Sequence, residues 1–320
     1  MQRSPDLLNR ISMGPLTKKK FRGIWLTEGG VGISAWTAGL AAILLLLPHD
    51  AAGAASLNPE SLKAWEAYVS AADERMQQRL QPGKHFLWAD EAEDRIANVR
   101  NGEPYIAPEG EHNPRRVPAG LIHDWLGVVF IPDTKIEDVM LAVRDYRRYK
   151  EFYHPGVIDS KTIASEGLED HFSIVLMNKT FVSKKALDTD CESTYFRVGE
   201  RRWYSISHTT RIQEVDNYGT PEQHMFPQDV GTGLIWRLHS ITRFEERDGG
   251  VYVELEAMAL SRDIPASLRW LIAPIVRRAS RSSLITSLEQ TQGAIHPTAT
   301  ATNVPANAGF ASHGFRAVSR

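Results

Sequence analysis

The ionisable residues whose spacing could support chemistry fall in two stretches, Arg237-Leu238-His239 and Glu254-Leu255-Glu256. An acid and a base held in one cleft could enolise and cyclise a polyketone by general acid–base transfer. That chemistry needs the four ionisable groups inside a cavity. On the outer face of a sheet the same residues form an ordinary ladder of opposite charges. The other histidines considered, His123, His154, His171, His208 and His224, are scattered without metal-ligand spacing. Lone strand histidines are more often surface or hydrogen-bonded core groups. No HExxH, G-x-S-x-G, P-loop or paired-cysteine cluster occurs, and Gly231-x-Gly233 lacks the rest of a nucleotide fingerprint. Cys191 is the single cysteine and cannot form an intramolecular disulfide; with no assignable base beside it, it reads as a buried inert thiol. The sequence thus points away from catalysis, and no catalytic residue, cofactor or metal is expected.

The elements that must position these residues follow from periodicity. Alternation predicts a strand over Leu121–Ile131 closed by Pro132-Asp133, then a helix over Lys135–Phe152. Strands follow over Val157–Ser165, His171–Asn178, Thr180–Asp190, Cys191–Val198 and Trp203–Val215. An insertion spans Asp216–Gly231, and a hairpin joins Leu234–Phe244 to Val251–Leu260 across Asp248-Gly249-Gly250. A final helix runs from near Pro265 to Gln292 and contains Pro274.

The hairpin tests its own register. With even opposite odd numbers, Trp236, Leu238, Ser240, Thr242 and Phe244 share a face with Val251, Val253, Leu255, Ala257 and Ala259. Arg237, His239, Ile241 and Arg243 then lie beside Tyr252, Glu254, Glu256 and Met258 on the other, outer face. The long helix must cover the apolar face. Its middle, Ala279, Ser280, Ser282 and Ser283, is small and leaves room for a ligand. The expected lining is Trp236, Leu238 and Phe244 from the sheet, with Ile275, Ala279 and Ser283 from the helix.

Several stretches resemble the START-like superfamily of helix-grip domains, including its polyketide cyclase and coenzyme Q-binding branches. They are Trp125-Leu126-Gly127-Val128-Val129-Phe130-Ile131-Pro132, Asp145-Tyr146-Arg147-Arg148-Tyr149 and Tyr153-His154-Pro155-Gly156-Val157. Leu234-Ile235-Trp236-Arg237-Leu238 and Ala259-Leu260-Ser261-Arg262-Asp263-Ile264-Pro265 complete the set. The resemblance covers residues 116–293 and implies an α+β fold: a curved antiparallel sheet wrapped around a long C-terminal helix. It implies less about function, because this fold hosts lipid carriers, hormone receptors and cyclases alike.

Outside that segment, Lys18-Lys19-Lys20-Phe21-Arg22 precedes an uncharged stretch, Val31–Leu47, then Pro48 and the small-residue run Ala51-Ala52-Gly53-Ala54-Ala55. The order is that of a secretory signal, cleaved after Ala54 or Ala55; if it were retained, residues 31–47 would contact the membrane. Export to the periplasm, cell envelope or exterior is therefore expected. Residues 56–115 comprise a helix capped by Asn58, with Leu62, Trp65, Val69, Ala72, Met76 and Leu80 on one stripe, and an irregular connector over 84–115. Residues 294–320 read as a disordered tail. A formal net charge of −2 on 320 residues gives no reason to expect a nucleic-acid partner.

Three functions fit these readings. The first is non-catalytic binding or transport of a lipid, quinone or other apolar molecule. The second is a START-like cyclase or other small enzyme on an apolar substrate, which requires Arg237, His239, Glu254 and Glu256 to face the cavity. The third is an interaction module with a filled core and an exposed Trp65/Met76 stripe.

Overall fold

The structure, a computed structural model, describes residues 54–179 and 184–296. Residues 31–47, most of the expected signal and residues 297–320 of the expected tail lie outside the described residues. Among the described residues no helix is long and apolar enough to cross a membrane.

In chain order the elements are β1 (Ala55–Ser56), α1 (Pro59–Arg79), α2 (Glu93–Arg100), β2 (Tyr105–Pro108), β3 (Arg115–Val117) and β4 (Gly120–Pro132). Then come α3 (Ile136–Val143), α4 (Tyr149–Phe152), β5 (Val157–Glu166), β6 (Glu169–Lys179), β7 (Lys184–Arg197) and β8 (Arg202–Asp216). The chain continues through β9 (His224–Met225), β10 (Val230–Gly231), β11 (Arg237–Arg247), β12 (Gly250–Arg262) and α5 (Arg269–Ile295). The main sheet has the order β2-β4-β12-β11-β8-β7-β6-β5, with β3 on β4 and β9 on β8. Every pairing in it is antiparallel.

The hairpin has the register that alternation predicts: Leu238 faces Ala259, Ser240 faces Ala257, Thr242 faces Leu255 and Phe244 faces Val253. Its two faces are covered by different layers. On the inner face Leu284 and Leu288 of α5 pack with Trp125, Val129, Ile131, Phe244, Val251 and Val253. Gly127 makes that approach possible: a Cβ there would stand 2.7 Å from Leu288 Cδ1 and 2.6 Å from Ile106 Cδ1. On the outer face Trp65, Ala72 and Met76 of α1 pack with Leu126, Val128, Ile241, Tyr252 and Met258. Asn58 caps α1 as its sequence predicts, accepting from the Glu60 N–H at 2.8 Å.

Four expectations need correction. Residues 84–115 are not irregular. They carry α2, β2 and β3, and Phe86, Leu87, Trp88 and Ala89 join the buried outer cluster. Strands β2 and β3 pair with β4, so the division at residue 115 cuts through the sheet. The helix over 135–152 is broken, because Arg144 turns to pair with Asp170 at 2.8 Å and Tyr146 is buried against Phe172. The two strands expected over 180–198 are one, β7; the irregularity at Asp190/Cys191 is a bulge against β8, which the sequence presents as a break.

Candidate functional site

The four ionisable residues singled out above lie on strands β11 and β12, with alternation that sends them all to the outer face. There His239, Glu254 and Glu256 are buried beneath α1 and the segment that follows it, while the half-buried Arg237 pairs with Asp229 at 2.6 Å. Arg243, 1% exposed, donates to Glu254 at 2.8 Å and to Glu256 at 2.7 Å. Glu254 also accepts from the Trp88 and Ala89 backbone N–H groups at 2.9 Å each. Arg75 of α1 reaches Glu256 at 3.0 Å, and His239 meets Asp73 of α1 at 2.9 Å. Burial opposes the charge on Arg243, but the two carboxylates outweigh it and raise its pKa. Asp73, Arg75, Trp88 and Ala89 tie these sheet residues to the N-terminal layer, and Arg243 joins the two strands beneath it. The arrangement is a docking network, and none of its groups reaches the inner face where a substrate would lie.

Beside it, Asp124 is 2% exposed and accepts from the Tyr68 hydroxyl at 2.7 Å. Burial first, and then the nearby Glu256 carboxylate, push the Asp124 carboxyl up to about 8. Cys191 is buried, with its thiol pushed up by burial to about 11, as befits an inert cysteine.

The inner face differs in kind. Leu238, Ser240 and Thr242 of β11 and Leu255, Ala257 and Ala259 of β12 are only half-buried, while their outer-face neighbours Ile241, Arg243, Glu254, Glu256 and Met258 are buried. Pairing extends this surface into rows across the strands. One row runs Trp125, Ala257, Ser240, Ser207, Ser193. The next begins His123, Ala259, Leu238. Small side chains at consecutive positions of a curved sheet leave space above them. The hydroxyls of Ser193 and Ser207 satisfy each other at 2.6 Å. The surface is therefore a floor of small groups, bounded by the buried cluster around Phe244.

Helix α5 does not lie flat over this floor. In its C-terminal half Leu284, Leu288 and Thr291 are buried. In its N-terminal half Ile272 is buried and Leu271, Ile275, Val276 and Ala279 are half-buried, whereas Arg277, Arg278 and Arg281 are exposed. Ile275 precedes Leu284 by two and a half turns at about 3.6 residues per turn, so the two side chains leave opposite sides of the helix. The covered face changes along the helix, and the N-terminal half is the less tightly seated.

Against the lining expected from sequence, Leu238 lies on the open floor and Phe244 in the filled cluster beside it. Ile275 and Ala279 are half-buried in the less tightly seated half of α5. Ser283 is exposed, because its neighbour Leu284 takes the inward position. Trp236 is on the other side: it precedes β11, so alternation does not govern it, and it packs in the outer cluster with Trp65 and Met258. Gly233, at φ 78°, makes the turn that admits its indole. His123 and Trp125 were not singled out as ligand-contacting. Their inward position is a matter of register, and the β4 sequence, buried from Gly120 to Val129, shows no polar alternation that would reveal it.

Two surface clefts stand apart from this floor. One of about 460 Å³ lies between α3 and the end of α5, near Asp138, Leu141 and His296. Another, of about 310 Å³, lies against the outer side of β6–β8, near Val175, Arg211 and Met225.

No family model matches the chain, and no curated protein matches it. Among solved structures it is similar to a STAR-related lipid transfer protein fragment from Xanthomonas axonopodis, at 15% identity and TM-score 0.40, over 60% of this chain and 98% of that one. It is also similar to human STARD10, at 10% identity and TM-score 0.37, over 69% of this chain and 84% of that one. The Zhui aromatase/cyclase from Streptomyces matches at 7% identity and TM-score 0.32, over 55% of this chain and 94% of that one. Likeness at this level transfers neither ligand nor reaction. By its own strand order and its long C-terminal helix, the chain has a START-like, helix-grip α+β fold.

Proposed function

We propose that this protein binds a lipid, quinone or other apolar small molecule against the inner face of its sheet and carries it without transforming it. The observation that supports this reading is the contrast between the two faces. The outer face is buried from His239 to Glu245 and from Tyr252 to Leu260, whereas the inner face keeps half-buried, mostly small side chains from Leu238 to Thr242 and from Leu255 to Ala259. Apolar surface left open inside a fold gains free energy when an apolar ligand covers it. The acids and bases of the hairpin are engaged on the opposite face, which favours carriage over the cyclase alternative. Trp65 and Met76 are buried, so the stripe that an interaction module would expose is already occupied. The order of the basic Lys18-Lys19-Lys20 segment, the apolar stretch at 31–47 and the small-residue run that follows supports a reading in which this carrier works outside the cytoplasm, in the cell envelope.

The test is to fill the floor. Ser240→Trp inserts a large side chain among Leu238, Thr242 and Ala257, and Ser283→Trp adds the same bulk at an exposed position. With an open chamber, the Ser240 variant loses binding of a neutral apolar dye while keeping its melting temperature within a few degrees. The Ser283 variant keeps both. A Ser240 variant that melts far lower, or that binds dye as the unsubstituted protein does, counts against the reading.

A further inference from the structure

Two polar atoms on the inner face have no hydrogen-bond partner among the described residues: His123 Nδ1 and Trp125 Nε1. Each residue is only 6% exposed. A buried donor or acceptor is normally satisfied, so two orphans two positions apart on one strand face ask for a common cause. Both head the rows of the floor, His123 beside Ala259 and Leu238, Trp125 beside Ala257 and Ser240. The half-buried alanines beside them, Ala259 and Ala257, bring no polar group and little bulk.

The chemistry of the pair is defined by what it can donate. The indole N–H donates only. His123 Nε2 lies 3.0 Å from the Ser261 hydroxyl. That hydroxyl also lies 3.4 Å from the Arg262 carbonyl; donating over the shorter contact to Nε2, it leaves the ring proton on Nδ1, and both orphan atoms are then donors. Burial holds the imidazole pKa down, at about 4, so the ring is neutral at neutral pH and offers no charge to an anion. Asp124, the nearest acid in sequence, faces the other side, toward Tyr68.

Resting on the apolar-ligand reading above, we infer that His123 and Trp125 form the polar anchor of the chamber and hold the carbonyl oxygen of an uncharged ligand. The small hydroxyl and alanine floor takes the apolar body, and the two N–H groups take the one polar end. An equally apolar molecule without an acceptor leaves both donors buried and unpaired, a penalty of roughly ten- to a hundredfold in affinity.

The experiment uses the full chain with bound Nile red and measures displacement by 2-dodecanone, dodecane and dodecanoate. The ketone is expected to displace the dye at a concentration about tenfold or more below that of the hydrocarbon, with the carboxylate no better than the ketone. In His123→Phe and Trp125→Phe the ketone's advantage over the hydrocarbon shrinks to about threefold or less, because the hydrocarbon no longer leaves a donor unpaired. Equal displacement by ketone and hydrocarbon in the unsubstituted protein overturns the anchor, and so does strongest displacement by dodecanoate. Variants that keep the full ketone preference overturn it as well. If a variant does not fold, the comparison of the three probes in the unsubstituted protein still decides. Failure of the protein to bind Nile red at all sinks the chamber and the anchor with it, whereas dye binding without ketone preference sinks the anchor alone.

Discussion

At the scale of single residues, the sheet separates two kinds of burial. Arg243 is a fully buried charge paired with both Glu254 and Glu256 beneath the N-terminal layer. Removing one partner of a buried ion pair strands the other. Arg243→Ala should therefore cost about 3–5 kcal/mol of stability, read as a shifted urea midpoint. A loss below about 1 kcal/mol would mean that water reaches the carboxylates. The neighbours His123 and Asp124 point to opposite faces and titrate with opposite consequences. The folded-state pKa of Asp124, about 8, lies above its ordinary value of 3.8. Its contribution is full at low pH and is lost as pH rises toward 8. His123 is depressed from 6.5 to about 4, so its contribution is full above 6.5 and is lost as pH falls toward 4. Between pH 6.5 and 8 the Asp124 effect stands without the His123 one. Stability should fall across that window by up to about 1.4 kcal/mol per pH unit, and Asp124→Asn should flatten the fall. Parallel slopes for the two proteins, measured by urea denaturation at both ends of the window, would remove Asp124 from the account.

At the scale of elements, α5 comes close to β4 at Gly127, with Ile106, Leu284 and Leu288 against the missing Cβ. Gly127→Val should push α5 away from β4 and cost at least about 1–3 kcal/mol by overpacking. A thermal melt unchanged from the parent would show that α5 is seated elsewhere. This scale is also where the sequence was most and least readable. The β11–β12 register follows from alternation because each face is chemically uniform, and the Asn58 cap follows from a local hydrogen bond. The break after Val143 depends on Arg144 meeting Asp170, twenty-six positions away, and no local pattern encodes it. The 84–115 segment looks irregular because its Gly and Pro positions punctuate it, yet its apolar cluster Phe86-Leu87-Trp88-Ala89 is core. Trp236 shows how alternation fails one residue beyond a strand end. The anchor pair was hidden for another reason. His123 and Trp125 lie in a continuously buried run, so only the pairing of β4 with β12 reveals which of its residues face inward.

At the scale of the whole molecule, one sheet serves two layers. The N-terminal layer covers the outer face of β4, β12 and β11 with apolar packing and a buried charge network, and on the proposed reading the inner face and the lightly seated half of α5 take the ligand. Rigidity on one side and openness on the other suit a protein that must take in and release an apolar molecule while its fold persists. The most direct test is native mass spectrometry of the protein purified from the cells that make it, with organic extraction of what accompanies it. The account predicts one apolar, uncharged, oxygen-bearing molecule per chain, displaced by Ser240→Trp. A chain that arrives at its bare mass, and stays there when incubated with neutral lipids and quinones, would contradict it.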